Sequence, residues 1–292
     1  MAFAKDFVWG AASSAYQTEG SSRADGGGES IWDVFCRRPG AVADGFDGSA
    51  ATDAYRRYEE DIACAAQMGL GAYRFSVSWA RVDHYGDGRW NGEGFAFYLR
   101  MLQACRAVTL YHWELPQVLE DAGGWRSRET ARAFARYAAE AARRFSGLAE
   151  NYITLNEPEC TVKLGHGTGV HAPGLRLPEA RQLLVLHHQL LAHGLAAAAI
   201  RETCPGVRVG IAATGRLWHG QPRRCGGCLQ RYLRHAGQRL GIYLSDGAGP
   251  CLFRTLSGKL RARPAAYDGG APGGRPGGHP HTAGFYRLEH LQ

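Results

Sequence analysis

Apolar positions along the first two thirds of the chain alternate between two spacings, and each change of spacing marks a predicted element. A short apolar run at 7–10 precedes small residues and reads as a first strand. Over 52–68, Tyr55, Tyr58, Ile62, Ala65 and Met68 recur at steps of three and four, which puts them on one face of a helix. Gly69 and Gly71 end it. Residues 72–79 then alternate through Tyr73, Phe75, Val77 and Trp79, the period of a strand. The exchange repeats. A helix over 93–107 leads to a strand over 108–113, and a helix over 128–145 with Phe134, Tyr137 and Ala141 on one face leads to a strand over 152–156. A helix over 183–203 leads to a strand over 207–213.

Strands alternating with long helices predict βαβ units and a parallel sheet. Four such cycles and a fifth strand exceed half of an eightfold barrel. The fold class expected is α/β, of the (β/α)8 TIM-barrel type, incomplete, with about the first five strands. One junction is irregular. The helix over 93–107 runs straight into Val108, where a connection of about 2–6 residues is normal. Either that helix unwinds early or the third strand is short, and in the second case His112 would be misplaced.

Composition adds a boundary. The chain has 292 residues, 45% hydrophobic and 21% charged, which is a globular balance with enough length for a sizeable core. Its net charge of +7 is unevenly placed. Residues 216–292 hold eleven Arg and one Lys against two Asp and one Glu, together with 15 of the 40 Gly and 6 of the 12 Pro. That stretch carries +9, and residues 1–215 carry −2. Two regions are therefore expected: 1–215, the N-terminal part of a barrel domain, and 216–292, a basic Gly/Pro/Arg-rich tail. Within the tail, 230–240 reads as a weak helix and 268–281 as disordered.

Several classes of partner drop out. The Arg-rich tail would attract phosphate without selectivity, but no nucleic-acid motif accompanies it, so no specific nucleic acid is expected. No run of eighteen apolar residues occurs and no apolar segment follows a basic start, so neither a membrane span nor a secretory leader is expected. The expectation is a soluble, cytoplasmic protein with no membrane partner. Its eight scattered cysteines are then reduced thiols. Only Cys225-Gly-Gly-Cys228 has metal-like spacing, without a second pair, so no metal is expected.

The polar residues cluster where strands end. Thr154-Leu155-Asn156-Glu157-Pro158 closes the fourth strand, the end at which barrel enzymes keep their chemistry. A carboxyl beside an amide suits a general acid/base next to a hydroxyl clamp, although Asn and Pro also suit an ordinary turn. Arg74-Phe75-Ser76 lies on the second strand, and Tyr111-His112-Trp113-Glu114 closes the third. An indole with polar neighbours matches a sugar ring, whose apolar face stacks while its hydroxyls make hydrogen bonds.

The stretch Phe7-Val8-Trp9-Gly10-Ala11-Ala12-Ser13-Ser14-Ala15-Tyr16-Gln17-Thr18-Glu19-Gly20 resembles the N-terminal pattern of the family 1 glycoside hydrolases, the β-glucosidase type. The Thr154-Leu155-Asn156-Glu157-Pro158 segment is similar to that family's acid/base motif. The helix over 58–62, the strand over 73–79, Tyr111-His112-Trp113 and His171-Ala172-Pro173-Gly174 are similar to further family segments, in the family's order. The resemblance spans about residues 3–215. It implies a barrel that hydrolyses β-glucosides and related β-glycosides with retention of configuration. It implies Glu157 as general acid/base and Asn156 as holder of the hydroxyl beside the reacting carbon. Gln17, His112 and Trp113 would grip the other hydroxyls, and Arg74 would position the nucleophile. The implied partner is a small carbohydrate substrate, with no metal or organic cofactor.

The sequence also departs from that pattern. The family's nucleophile is a Glu in a Thr-Glu-Asn-Gly-type motif on a late strand, and no such motif occurs here. Glu289 is the one Glu in 216–292, and its neighbours do not match, so the nucleophile stays unassigned. Two expectations stand side by side: a retaining glycosidase, or a catalytically inactive truncated or frameshifted fragment with at most weak sugar binding. The tail's composition suggests a GC-rich coding region read out of frame, which sequencing of the encoding DNA tests: no family-like frame downstream would sink it. Five strands without closure leave sheet edges open, so a marginally stable, aggregation-prone chain is expected.

Overall fold

The computed structural model describes residue 3 and residues 7–214. The strands β1 (Gly10–Ala12), β2 (Ala72–Ser76), β3 (Ala107–Tyr111), β4 (Asn151–Asn156) and β5 (Arg208–Ala212) form one sheet in the order β1-β2-β3-β4-β5. All four pairings are parallel. Each strand lies beside its sequence neighbour, the one-way winding of a barrel wall. Register brings Ala12 beside Arg74, Arg74 beside Ala107 and Tyr111 beside Leu155. Between Ile153 and Asn156 the pairing with β5 shifts register, which bends the end of β4.

Helices cross over between strands. They are α1 (Ala15–Thr18), α2 (Ile31–Cys36), α3 (Ala54–Gln67), α4 (Trp79–Val82), α5 (Gly92–Leu102), α6 (Gln117–Asp121), α7 (Arg128–Arg144), α8 (Pro158–Cys160) and α9 (Glu179–Thr203), with a π-helical segment at Thr161–Thr168. The α7 helix shows why the sequence folds this way. The Ser127 hydroxyl accepts the Glu129 N–H at 3.2 Å and starts the helix. Its apolar stripe of Ala131, Phe134, Ala138 and Ala141 is buried. Tyr137, on that face, donates its hydroxyl to the Leu110 carbonyl of β3 at 3.0 Å. The α9 helix packs along α7. Its mean hydropathy of 1.5 over an eighteen-residue window would suit a membrane span, but Val185, Leu190, Ala192, Ala196 and Ile200 are buried within this core.

Several boundaries differ from the sequence reading. The first strand starts at Gly10 rather than Phe7. Helix α5 stops at Leu102, and residues 103–106 make the connection, so the early-unwinding alternative holds and β3 has five residues. The second strand ends at Ser76. Trp79 opens α4, because the Ser78 hydroxyl accepts the Arg81 N–H at 3.1 Å and caps a new helix. The third strand ends at Tyr111, before His112. Helix α9 begins at Glu179, four residues ahead of the predicted start. The readings on 216–292, including 230–240, 268–281, Cys225, Cys228 and Glu289, lie outside the described residues.

Candidate active site

A side chain from the middle of β2 and the ends of β3 and β4 meet on Asn156. This residue closes β4 and is 4% exposed. Its side-chain Oδ1 accepts the Arg74 guanidinium, Nη2, at 3.2 Å. Its Nδ2 lies 3.5 Å from Nε2 of His112, the first residue past β3. Its backbone carbonyl accepts the Trp113 indole N–H at 2.8 Å. One residue therefore meets an arginine and an imidazole through its side-chain amide and an indole through its backbone carbonyl.

Glu157 follows at once, with φ +47° and ψ +60°. A non-glycine residue in the left-handed region costs about 1–3 kcal/mol and persists only where its surroundings hold it. Here the Glu157 N–H donates to the Ala212 carbonyl of β5 at 2.6 Å, and Pro158 begins α8 directly behind. Trp113 shares the feature, with φ +70°. Its carbonyl accepts the Trp32 indole N–H at 3.0 Å, and its ring and that of Trp32 each lie 5.5 Å from the His171 ring.

The electrostatics separate acid from bystander. Burial, and then the Glu159 carboxylate, push the Glu157 carboxyl above its ordinary range, while Arg74 and the Cys160 thiol pull it back. Burial, with Arg74 beside it, lowers the His112 imidazole from 6.5 to about 4, so His112 is neutral at physiological pH. Its Nδ1 is buried without a hydrogen-bond partner among the described residues. Arg74 loses some basicity to burial and regains some from Glu157.

Arg74 from the middle of β2 is thus joined with His112, Trp113, Asn156 and Glu157 at the C-terminal ends of β3 and β4. Gln17 makes its side-chain hydrogen bond elsewhere. It lies on α1, just past β1, exposed, with its Oε1 accepting the Ser14 hydroxyl at 2.7 Å. The early end of the third strand leaves His112 within reach of Asn156. Trp32, Glu159, Cys160 and Thr214 were absent from the sequence reading of the site. Glu159 carried a weak signal as a second carboxyl within two residues of Glu157. Thr214 carried none.

The site is thus a half-buried carboxyl raised at a strand end of a parallel α/β wall, beside an amide and an indole. The comparisons then name the family. The family model for glycosyl hydrolase family 1 matches residues 1–221, and the chain belongs to that family. It is 44% identical over 216 residues to β-glucosidase A of Acetivibrio thermocellus, covering 72% of this chain and 48% of that protein. Among solved structures, the family 1 β-glucosidase of Thermotoga maritima matches with a TM-score of 0.74 and 38% identity, over 82% of this chain and 55% of that one. The virulence factor SghA of Agrobacterium tumefaciens, in complex with its substrate analogue salicin, matches with a TM-score of 0.70 and 41% identity, over 73% and 48%. The chain spans about half the length of the curated relatives it matches.

Proposed function

We propose that the chain carries the acid/base side of a retaining β-glycosidase centre for β-glucosides and related β-glycosides. The observation that carries this reading is the Glu157 carboxyl, raised by burial and by Glu159 and held beside Asn156 at the end of β4. A carboxyl whose hold on its proton is strengthened in this way can give that proton to the glycosidic oxygen as the bond to the anomeric carbon breaks. It can then take a proton from the water that releases the sugar. Trp113 offers the apolar face a ring stacks on, neutral His112 can exchange hydrogen bonds with a hydroxyl, and Asn156 holds the hydroxyl beside the reacting carbon. Arg74 positions the carboxylate that attacks from the other side.

That second carboxyl has to stand about 5–5.5 Å from the first in a retaining enzyme. The sequence holds no Thr-Glu-Asn-Gly-type segment to supply it. This favours a second reading, in which the 292 residues are an inactive truncated or frameshifted fragment with weak sugar binding.

Nitrophenol release from p-nitrophenyl β-D-glucoside by the full chain, beside Glu157→Gln, tests both. Under the first reading the substitution lowers kcat/KM by about a hundredfold or more, and the first-formed sugar is the β anomer. A folded chain with no release supports the fragment reading. Release that the substitution leaves intact removes Glu157 from the mechanism.

A further inference from the structure

Glu159 lies two residues beyond Glu157, inside α8, and is 6% exposed. Its Oε1 accepts both the backbone N–H and the hydroxyl of Thr214, which stands just past the end of β5. Its Oε2 is buried and has no hydrogen-bond partner among the described residues. The β4 and β5 ends are joined here three times over. The Glu157 N–H reaches Ala212, Glu159 reaches Thr214, and the Cys160 Sγ lies 3.9 Å from the Thr214 hydroxyl.

The charged and titratable groups facing Glu157 are Arg74 from β2 and Glu159 and Cys160 from α8. The two carboxyls are not equivalent. Two donors from Thr214 stabilise the Glu159 anion, whereas the Glu157 anion has the charge of Arg74 and the Cys160 thiol. Neighbouring carboxyls in a desolvated site do not ionise together, and the one with better donors ionises first. Burial raises the Glu159 carboxyl as well, the Thr214 donors pull it back, and its charge is in turn one of the causes that raise Glu157. The Cys160 thiol, pushed up to about 11 by burial and then by both carboxylates, adds no competing anion near neutral pH.

We propose that Glu159 is a positioning residue for Glu157: through Thr214 it fixes the seam between β4 and β5, and its buried carboxylate keeps the proton on Glu157. The consequence for catalysis rests on the acid/base reading above, but the coupling between the two carboxyls does not.

The test is a pH titration of the side-chain carboxyl carbons of the full chain, labelled with 13C at Glu and followed by NMR. The Glu157 signal is assigned by its loss in Glu157→Gln. In Glu159→Gln, which keeps the shape and an acceptor for Thr214, the Glu157 midpoint falls by about one pH unit. Glu159→Asp, which keeps the charge, restores most of the shift. A lower melting temperature in Glu159→Gln with the Glu157 midpoint unmoved would mean that Glu159 only braces the seam, and the proposal falls. Should Glu159→Gln not fold, Thr214→Val decides. Removing one donor raises the Glu159 midpoint and narrows its gap to Glu157, whereas an unchanged gap overturns the proposal. Failure of the acid/base reading has a separate signature, nitrophenol release that survives Glu157→Gln, and leaves these titrations interpretable.

Discussion

Trp113 is held in a left-handed conformation by its neighbours, and the next residue pays into the same region of the molecule. Glu114 is buried, accepts the Ser78 hydroxyl on Oε1 and has no partner for Oε2 among the described residues. Burial pushes its carboxyl from 4.5 to about 8, so the folded chain carries it protonated at neutral pH. Its folded-state value lies above the unfolded one, so its contribution to stability is complete below about 4.5 and is lost as pH rises through about 8. Glu120, raised by burial to about 7, acts in the same direction. His112, His166 and His193, each lowered to about 4 chiefly by burial, act in the opposite one, losing stability as pH falls from 6.5 toward 4. Above about 7.5 these three imidazoles are neutral in both states, so from there to about 8 the carboxyls set the slope. Melting temperatures followed by circular dichroism should fall over that window, and Glu114→Gln should flatten the fall. Equal slopes in the two proteins would show that Glu114 does not titrate as described.

Among the elements, the short α4 helix ties the corner after β1 to α5. Arg81, 2% exposed, donates Nε and Nη2 to Glu19 Oε2 at 3.2 and 3.1 Å, and its guanidinium lies 4.2 Å from the Tyr55 ring centre. Tyr98 of α5 donates its hydroxyl to the other Glu19 oxygen at 2.8 Å. Arg81→Met leaves Glu19 buried beside Tyr98 alone, and breaking such a pair costs about 3–5 kcal/mol. Urea unfolding should show a loss of that size, and Glu19→Gln added to Arg81→Met should recover part of it. A loss below about 1 kcal/mol would mean that water or another group replaces the arginine. At this scale the sequence placed five strands and the long helices between them, because hydrophobic period is a local property. It misplaced their ends. Phe97, Leu102 and Cys105 keep helical spacing past the point where α5 stops, since Cys105 is buried from a connecting segment as readily as from a helix. Tyr73 to Trp79 keep strand spacing across the Ser78 cap for a similar reason: Trp79 is buried from the first turn of α4.

For the whole molecule, the charge is divided between −2 on residues 1–215 and +9 on 216–292. Contacts with phosphate carry no sequence information by themselves. Two unrelated DNA duplexes should therefore bind alike at low salt and be released together as salt rises, as fluorescence anisotropy would report. A tenfold preference for one duplex would contradict the reading of the tail as incidental charge. By itself the sequence determined the alternating elements, the parallel α/β class, the family, and the polar residues that end the strands, because each rests on short-range spacing or on a contiguous motif. Only the tertiary structure decided which of those residues meet. Arg74 and Asn156 are 82 residues apart, Glu159 and Thr214 are 55 apart, and Gln17 takes its hydrogen bond from Ser14 instead. Strand register and burial bring those side chains together, and burial also sets their protonation, because the cost of a charge depends on the dielectric and donors around it rather than on its neighbours in the chain.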